Sequence, residues 1–175
     1  MDKNGESIAS YFNRQMGWSE LKLLNYQQSL VKTAADAGVK IDFSKRTHYY
    51  NTNNAHLLMH FAERFNKQSI LNERLITAYF NEGLDISKLD ILLDIAQEVG
   101  LNRELANTAL TSALSNKESN QELNQELTEK IQRYQSFNIS SVPAFIVNNS
   151  VLISGSNSVA YFEQALTKLS ETVKA

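Results

Sequence analysis

Apolar positions recur at intervals of three and four along most of this chain, so most of it reads as amphipathic helix. Glu6 to Met16 sets Ile8, Tyr11 and Phe12 on one side and stops at Gly17. Ser19-Glu20 opens a second helix through Leu21, Leu24, Leu30, Val31 and Ala34, which Gly38 can end. Val39 to Phe43 alternates apolar and polar, which predicts a short strand or an extended connector. Thr52 or Asn53 caps a third helix bearing Ala55, Leu58, Met59, Ala62 and Phe65. A fourth carries Ile70, Leu71, Leu75, Ala78, Tyr79 and Phe80. A fifth begins at Ser87, turns Leu89, Leu92, Leu93, Ala96 and Val99 inward, and stops at Gly100. Asn102 caps a sixth, with Leu105, Ala109 and Leu110.

From Lys117 the chain turns very polar, yet Leu123, Leu127, Ile131, Tyr134 and Phe137 keep helical spacing. The stretch Asn120 to Leu127 reads as a solvated amphipathic helix, or as a partner-binding helix or small repeat. The C-terminal part changes character. Ala144 to Val147 is a strand by composition, Asn148-Asn149-Ser150 is turn chemistry, and Val151-Leu152-Ile153 returns as a second strand. Gly155 follows, and Ser156 or Asn157 caps a last helix with Val159, Phe162, Leu166 and Leu169. Two strands alone make no stable sheet. Either the helices cover this hairpin, or strands it should pair with are absent. No segment reads as a linker between domains.

At 175 residues and 42% apolar the chain suits one packed domain. The net charge of −2 supplies neither a nucleic-acid footprint nor a basic membrane patch. No run approaches the roughly 20 apolar residues of a membrane span. Met1-Asp2-Lys3-Asn4-Gly5-Glu6 has no apolar leader, so the expectation is a cytoplasmic protein. The chain has no cysteine, hence no disulfide, no thiolate nucleophile and no zinc-thiolate site.

Candidate chemistry is sparse. His56 and His60 are spaced i, i+4 on one helical face, with Glu63 three residues on, but Leu57 stands where a zinc-protease helix needs glutamate. Catalytic zinc needs three protein ligands, and the expectation is no metal and no cofactor. His48-Tyr49-Tyr50-Asn51 could line a pocket or form a surface turn. Glu82 and Asp85 flank Gly83 and suit a loop and helix cap better than a catalytic dyad. No serine sits in a nucleophile elbow and no glycine-rich phosphate loop occurs. The lone proline, Pro143, opens a strand, where it need not donate to the ladder. A cis Val142–Pro143 bond and an ordinary trans one both fit that position.

Four segments carry a family resemblance. They are Asn51-Thr52-Asn53-Asn54-Ala55-His56-Leu57-Leu58; Ala78-Tyr79-Phe80-Asn81-Glu82-Gly83-Leu84-Asp85-Ile86; Ile139-Ser140-Ser141-Val142-Pro143-Ala144-Phe145; and Ser154-Gly155 followed by Tyr161 to Leu166. In that order and spacing the chain resembles the DsbA-like thioredoxin superfamily. Within it, the FrnE-type branch near the 2-hydroxychromene-2-carboxylate isomerases is the most similar. Ser141 stands where that family commonly has glycine.

The resemblance implies an α/β thioredoxin-like fold that is mostly helical in content. It implies one domain over residues 1–175, with a helical insertion over 52–137 and a cis-proline loop, hairpin and last helix over 138–175. By the same resemblance the chain lacks the family's first strand, Cys-x-x-Cys helix and second strand, because Glu6 to Tyr11 is already similar to the family segment after that second strand. The edge of the proline strand would then stand open. The implied activity is thiol-disulfide exchange, which a chain without cysteine cannot perform. The alternative is a non-catalytic module that holds a peptide, or a second copy of itself, through that edge. The implied substrate-binding residues are Val142, Pro143, His56 and Asn51, and no residue is implied as catalytic. The isomerases use glutathione and a serine near the same helix start, which ranks that activity lowest here.

Overall fold

The computed structural model describes residues 5–114, 121–139 and 142–172. The polar stretch at Lys117 and Asn120, and Ser140-Ser141 of the proline segment, lie outside the described residues. The chain divides into two compact units, Met1–Leu127 and Thr128–Ala175.

The first unit begins with β1 (Glu6–Ser7), α1 (Ile8–Met16) and α2 (Glu20–Asp36). Glu6 and Ser7 were expected as the first turn of a helix. They pair instead, antiparallel, with β2 (His48–Tyr49), Glu6 opposite Tyr49 and Ser7 opposite His48. Ser7 is then free to cap α1, its hydroxyl accepting the Ser10 N–H at 3.1 Å. Gly17 closes α1 in the left-handed conformation and donates to Asn13 O at 2.8 Å. Ser19 caps α2 by accepting the Lys22 N–H. Ser19→Ala is expected to cost about 1 kcal/mol, read as a lower urea midpoint with unchanged slope. Of α2's 17 residues only Leu23 is buried. Its outward leucines, Leu21 and Leu24, are exposed.

Val39 to Phe43 is the connector, not a strand. The motif at the end of α4 (Gln68–Phe80) clasps this connector and the residues between it and His48. Asn81 Oδ1 accepts the Asp42 N–H at 3.2 Å, and its Nδ2 donates to Lys40 O at 3.2 Å. The Tyr79 hydroxyl donates to His48 O at 3.0 Å. Burial pushes the Tyr79 phenol up, against the opposing pull of Arg46, so it stays a donor. The Arg46 guanidinium lies 4.8 Å from the ring centres of Tyr49, Tyr79 and Phe80, an aromatic seat for the cation. Gly83 lies against the backbone carbonyl of Lys45.

The core of this unit is built from α3 (Asn53–Glu63), α4, α5 (Leu89–Glu98) and α6 (Arg103–Leu114). Leu58, Leu71, Leu92, Ile95 and Leu110 are fully enclosed. α3 lies at the centre, touching α4, α5 and α6. It stops at Glu63, short of Phe65. α5 starts at Leu89 rather than Ser87, because Asp85 Oδ1 accepts both the N–H and the hydroxyl of Ser87 and holds a turn there. Glu82 pairs with Arg74, so the two acids are a turn and an ion pair. Asn102 caps α6, accepting the Leu105 N–H at 2.9 Å. Leu123 of α7 (Gln121–Gln135) is buried in this core, which gives that polar helix an apolar anchor.

The second unit holds the end of α7, then β3 (Ala144–Val147), β4 (Val151–Ser154) and α8 (Val159–Thr172). β3 and β4 form an antiparallel hairpin from Ala144 opposite Ser154 to Val147 opposite Val151. Asn148 and Asn149 both have φ of 53°, and Ser150 N–H donates to Val147 O, a primed turn that asparagine tolerates. Ser158, rather than Ser156 or Asn157, caps α8 by accepting the Tyr161 N–H, while the Asn157 amide donates to Ser154 O and Gly155 O. Phe162 of α8 packs edge-on against Phe145, ring centres 4.8 Å apart. The described residues are largely helical, as the sequence predicts, with two two-stranded sheets.

Candidate functional site

In the second unit, the Val142–Pro143 peptide bond is cis. Pro143 O accepts the Gly155 N–H at 2.7 Å, which continues the hairpin register by one pair. Residues 143, 145 and 147 therefore bond toward β4, and Ala144 and Ile146 direct their N–H and C=O groups the other way. The sheet has two strands, so no described strand takes up that side of β3. Val142, at 87% exposure, stands at the head of this edge, and Phe145 is exposed at 42%. An open edge of this kind is a template for an extended chain.

The other two candidates belong to the first unit. Asn51 spends its side-chain oxygen on the start of α3, accepting the Asn53 N–H at 2.8 Å. His56 is exposed and lines a groove between α3 and α4 of about 240 Å³. Its lining includes Met59, Leu75, Ile76, Tyr79, Phe80 and Ile86, with the polar Thr52 and Asn72 beside them.

His60 parts from His56. It is buried, its Nδ1 lies 3.2 Å from Glu63 and its Nε2 2.6 Å from Glu126 of α7. Arg64 Nη2 donates to both oxygens of Glu126, at 3.1 and 3.3 Å. The ring can donate to both acids only when it carries both protons. The hydrogen bond from His60, then that from Arg64, holds the Glu126 carboxyl below its usual value. A carboxylate lowered in this way stabilises the fold above its unfolded pKa, and the contribution disappears as pH falls through the folded value. Glu126→Gln is therefore expected to lower stability at neutral pH. The gap to wild type should close below about pH 4.5, the ordinary value. Glu126 is more than a third exposed, so screening holds the effect to about 1 kcal/mol or less. Urea melts at pH 7 and pH 3.5 check this.

Among the described residues no three His, Asp or Glu side chains form a group able to hold a metal ion, and no helix is long and apolar enough to cross a membrane. His48 and Tyr49, read as either pocket wall or surface turn, are a half-buried strand. The Arg46 seat and the Glu126 network were not anticipated. Each joins residues far apart in sequence, and no local spacing signals them.

Residues 5–167 match the family profile described as the DSBA-like thioredoxin domain. An uncharacterized protein of Bacillus subtilis (strain 168), YwbO, is 32% identical over 148 residues, 81% of this chain and 67% of that protein. A crystal structure of a probable DsbA oxidoreductase from Streptomyces coelicolor superposes with a TM-score of 0.78 at 20% identity, over 93% of this chain and 67% of that one. The latter likeness is one of fold.

Proposed function

The chain belongs to the DSBA-like thioredoxin domain family, and from that premise we propose that it is a thiol-disulfide oxidoreductase of the FrnE type by lineage that serves as a non-catalytic binding module. The family's exchange chemistry requires a thiolate that attacks a substrate disulfide. These 175 residues contain no cysteine, and methionine thioethers cannot take that role. What supports a binding role is the side of β3 that no described strand pairs with, with Val142 and Pro143 at its head and the backbone of Ala144 and Ile146 behind them. An extended polypeptide would add a strand there through main-chain hydrogen bonds, and a second copy of this chain could offer its own edge to the same side. The reading makes no use of Asn51 or His56.

The test is a fluorescent, extended, cysteine-free peptide titrated into the protein. Wild type should bind saturably, and Val142→Arg should weaken binding at least tenfold. Val142 is exposed, so the substitution should leave stability within about 0.5 kcal/mol. Unchanged affinity in a variant with an unchanged melt would reject the loop as the contact. Sedimentation of the same two proteins separates the peptide from the self-pairing form, because only the latter predicts a dimer that Val142→Arg dissociates.

A further inference from the structure

We propose that the groove between α3 and α4 is a binding site for a small, uncharged aromatic molecule carrying one N–H or O–H group. The inference stands apart from the reading of the proline loop, which lies in the other unit.

Three observations carry it. The groove is concave and small: its volume of about 240 Å³ falls below the roughly 300–1,000 Å³ of drug-sized sites, which suits one or two fused rings. Its walls are more apolar than the core requires. α4 already turns Leu71, Leu75 and Ala78 inward, yet Ile76 on its flank is 49% exposed beside the hollow. Met59 and Phe80 line the same hollow, and a thioether and a ring edge both favour an aromatic guest.

The charge of the site then selects the guest. None of the lining residues is Asp, Glu, Lys or Arg. A charged ligand would leave water and meet no counter-charge among the lining residues, since the Arg46 guanidinium lies against the Tyr79 and Phe80 rings instead of lining the groove, whereas a neutral one loses little. The polar lining residues supply hydrogen-bonding capacity instead. Thr52, although it stands at the N-cap of α3, makes no side-chain capping bond. The Thr52 hydroxyl, the His56 ring and the Asn72 amide have no partner among the described residues. These three groups can orient a single polar substituent while the ring occupies the apolar walls.

The test uses the full chain, labelled with ¹⁵N, and indole as the probe. Saturable shifts are expected at the amides of Ala55, Met59 and Ile76. Ile76→Glu should weaken binding at least tenfold. Ile70→Glu, on the same helix, equally 49% exposed and outside the groove, should leave it within twofold. Benzyl alcohol should bind at least tenfold more tightly than benzoate. The proposal is overturned by any of four results: no saturable shift up to the solubility of indole; equal weakening by the two glutamate variants; benzoate binding as well as the alcohol; or shifts at these amides produced by an extended peptide and not by indole. Thermal melts of both variants establish that each is folded before the titrations are read.

Discussion

Replacing Gly83 with alanine is expected to destabilise the first unit by about 2–5 kcal/mol. Two costs combine. Gly83 has φ of +71°, a left-handed conformation that costs an L-residue about 1–2 kcal/mol. A methyl group there would also lie 2.2 Å from Lys45 O and 2.7 Å from its carbonyl carbon. These are backbone atoms, in the segment that Asn81 anchors at Lys40 and Asp42, and they cannot swing aside as a side chain could. Overpacking of this kind adds about 1–3 kcal/mol. Against a total stability of roughly 5–15 kcal/mol the loss is large. Gly38→Ala is the matched control: its φ is +75°, but nothing lies within 4 Å, so only the conformational cost applies. Urea unfolding of both variants separates the two contributions. Equal losses would show that the Gly83–Lys45 approach carries no energy of its own.

The second large effect is a gain. Joining a relative's strand-Cys-x-x-Cys-helix-strand segment ahead of Gly5 is expected to raise disulfide exchange on the order of 100-fold or more over the unmodified chain, since a thiolate is the attacking group that the chain lacks. The expectation rests on the family reading proposed above, in which the added segment supplies the attacking thiolate. Refolding of scrambled ribonuclease reports the rate, and circular dichroism reports whether the chimera is folded. A folded but inactive chimera would mean that the surface around Val142 has departed from what the family's chemistry needs.

The helices were legible because their signals are local. Ser19, Gly17 and Asn102 announce helix ends by side-chain chemistry or by left-handed backbone, and each performs that role in the structure. The hairpin was legible for the same reason, from two β-branched runs around Asn148-Asn149. The β1–β2 pairing was not. Two residues carry no periodicity, and Glu6 and Ser7 fit a helix start until His48 and Tyr49 arrive from over forty positions away. The candidate sites divide in the same way. Pro143 can be read from the residues around it, whereas the groove exists only once Met59 of α3 faces Ile76 of α4. His56 and His60 share a spacing and not an environment, because the core takes the second and leaves the first outside. The Ala78–Ile86 motif was recognised by its letters, but its physical work, gripping the stretch from Lys40 to His48, is a tertiary fact.

Whether this chain is a non-catalytic member of its family is decided by the rate at which the unmodified 175 residues catalyse disulfide exchange in a glutathione buffer. The expected rate equals that of buffer alone at every protein concentration, alongside saturable binding of an extended peptide. A rate that rises in proportion to protein, in a preparation whose intact mass matches 19.8 kDa, would contradict it. Such a rate would demand a nucleophile other than a cysteine thiolate.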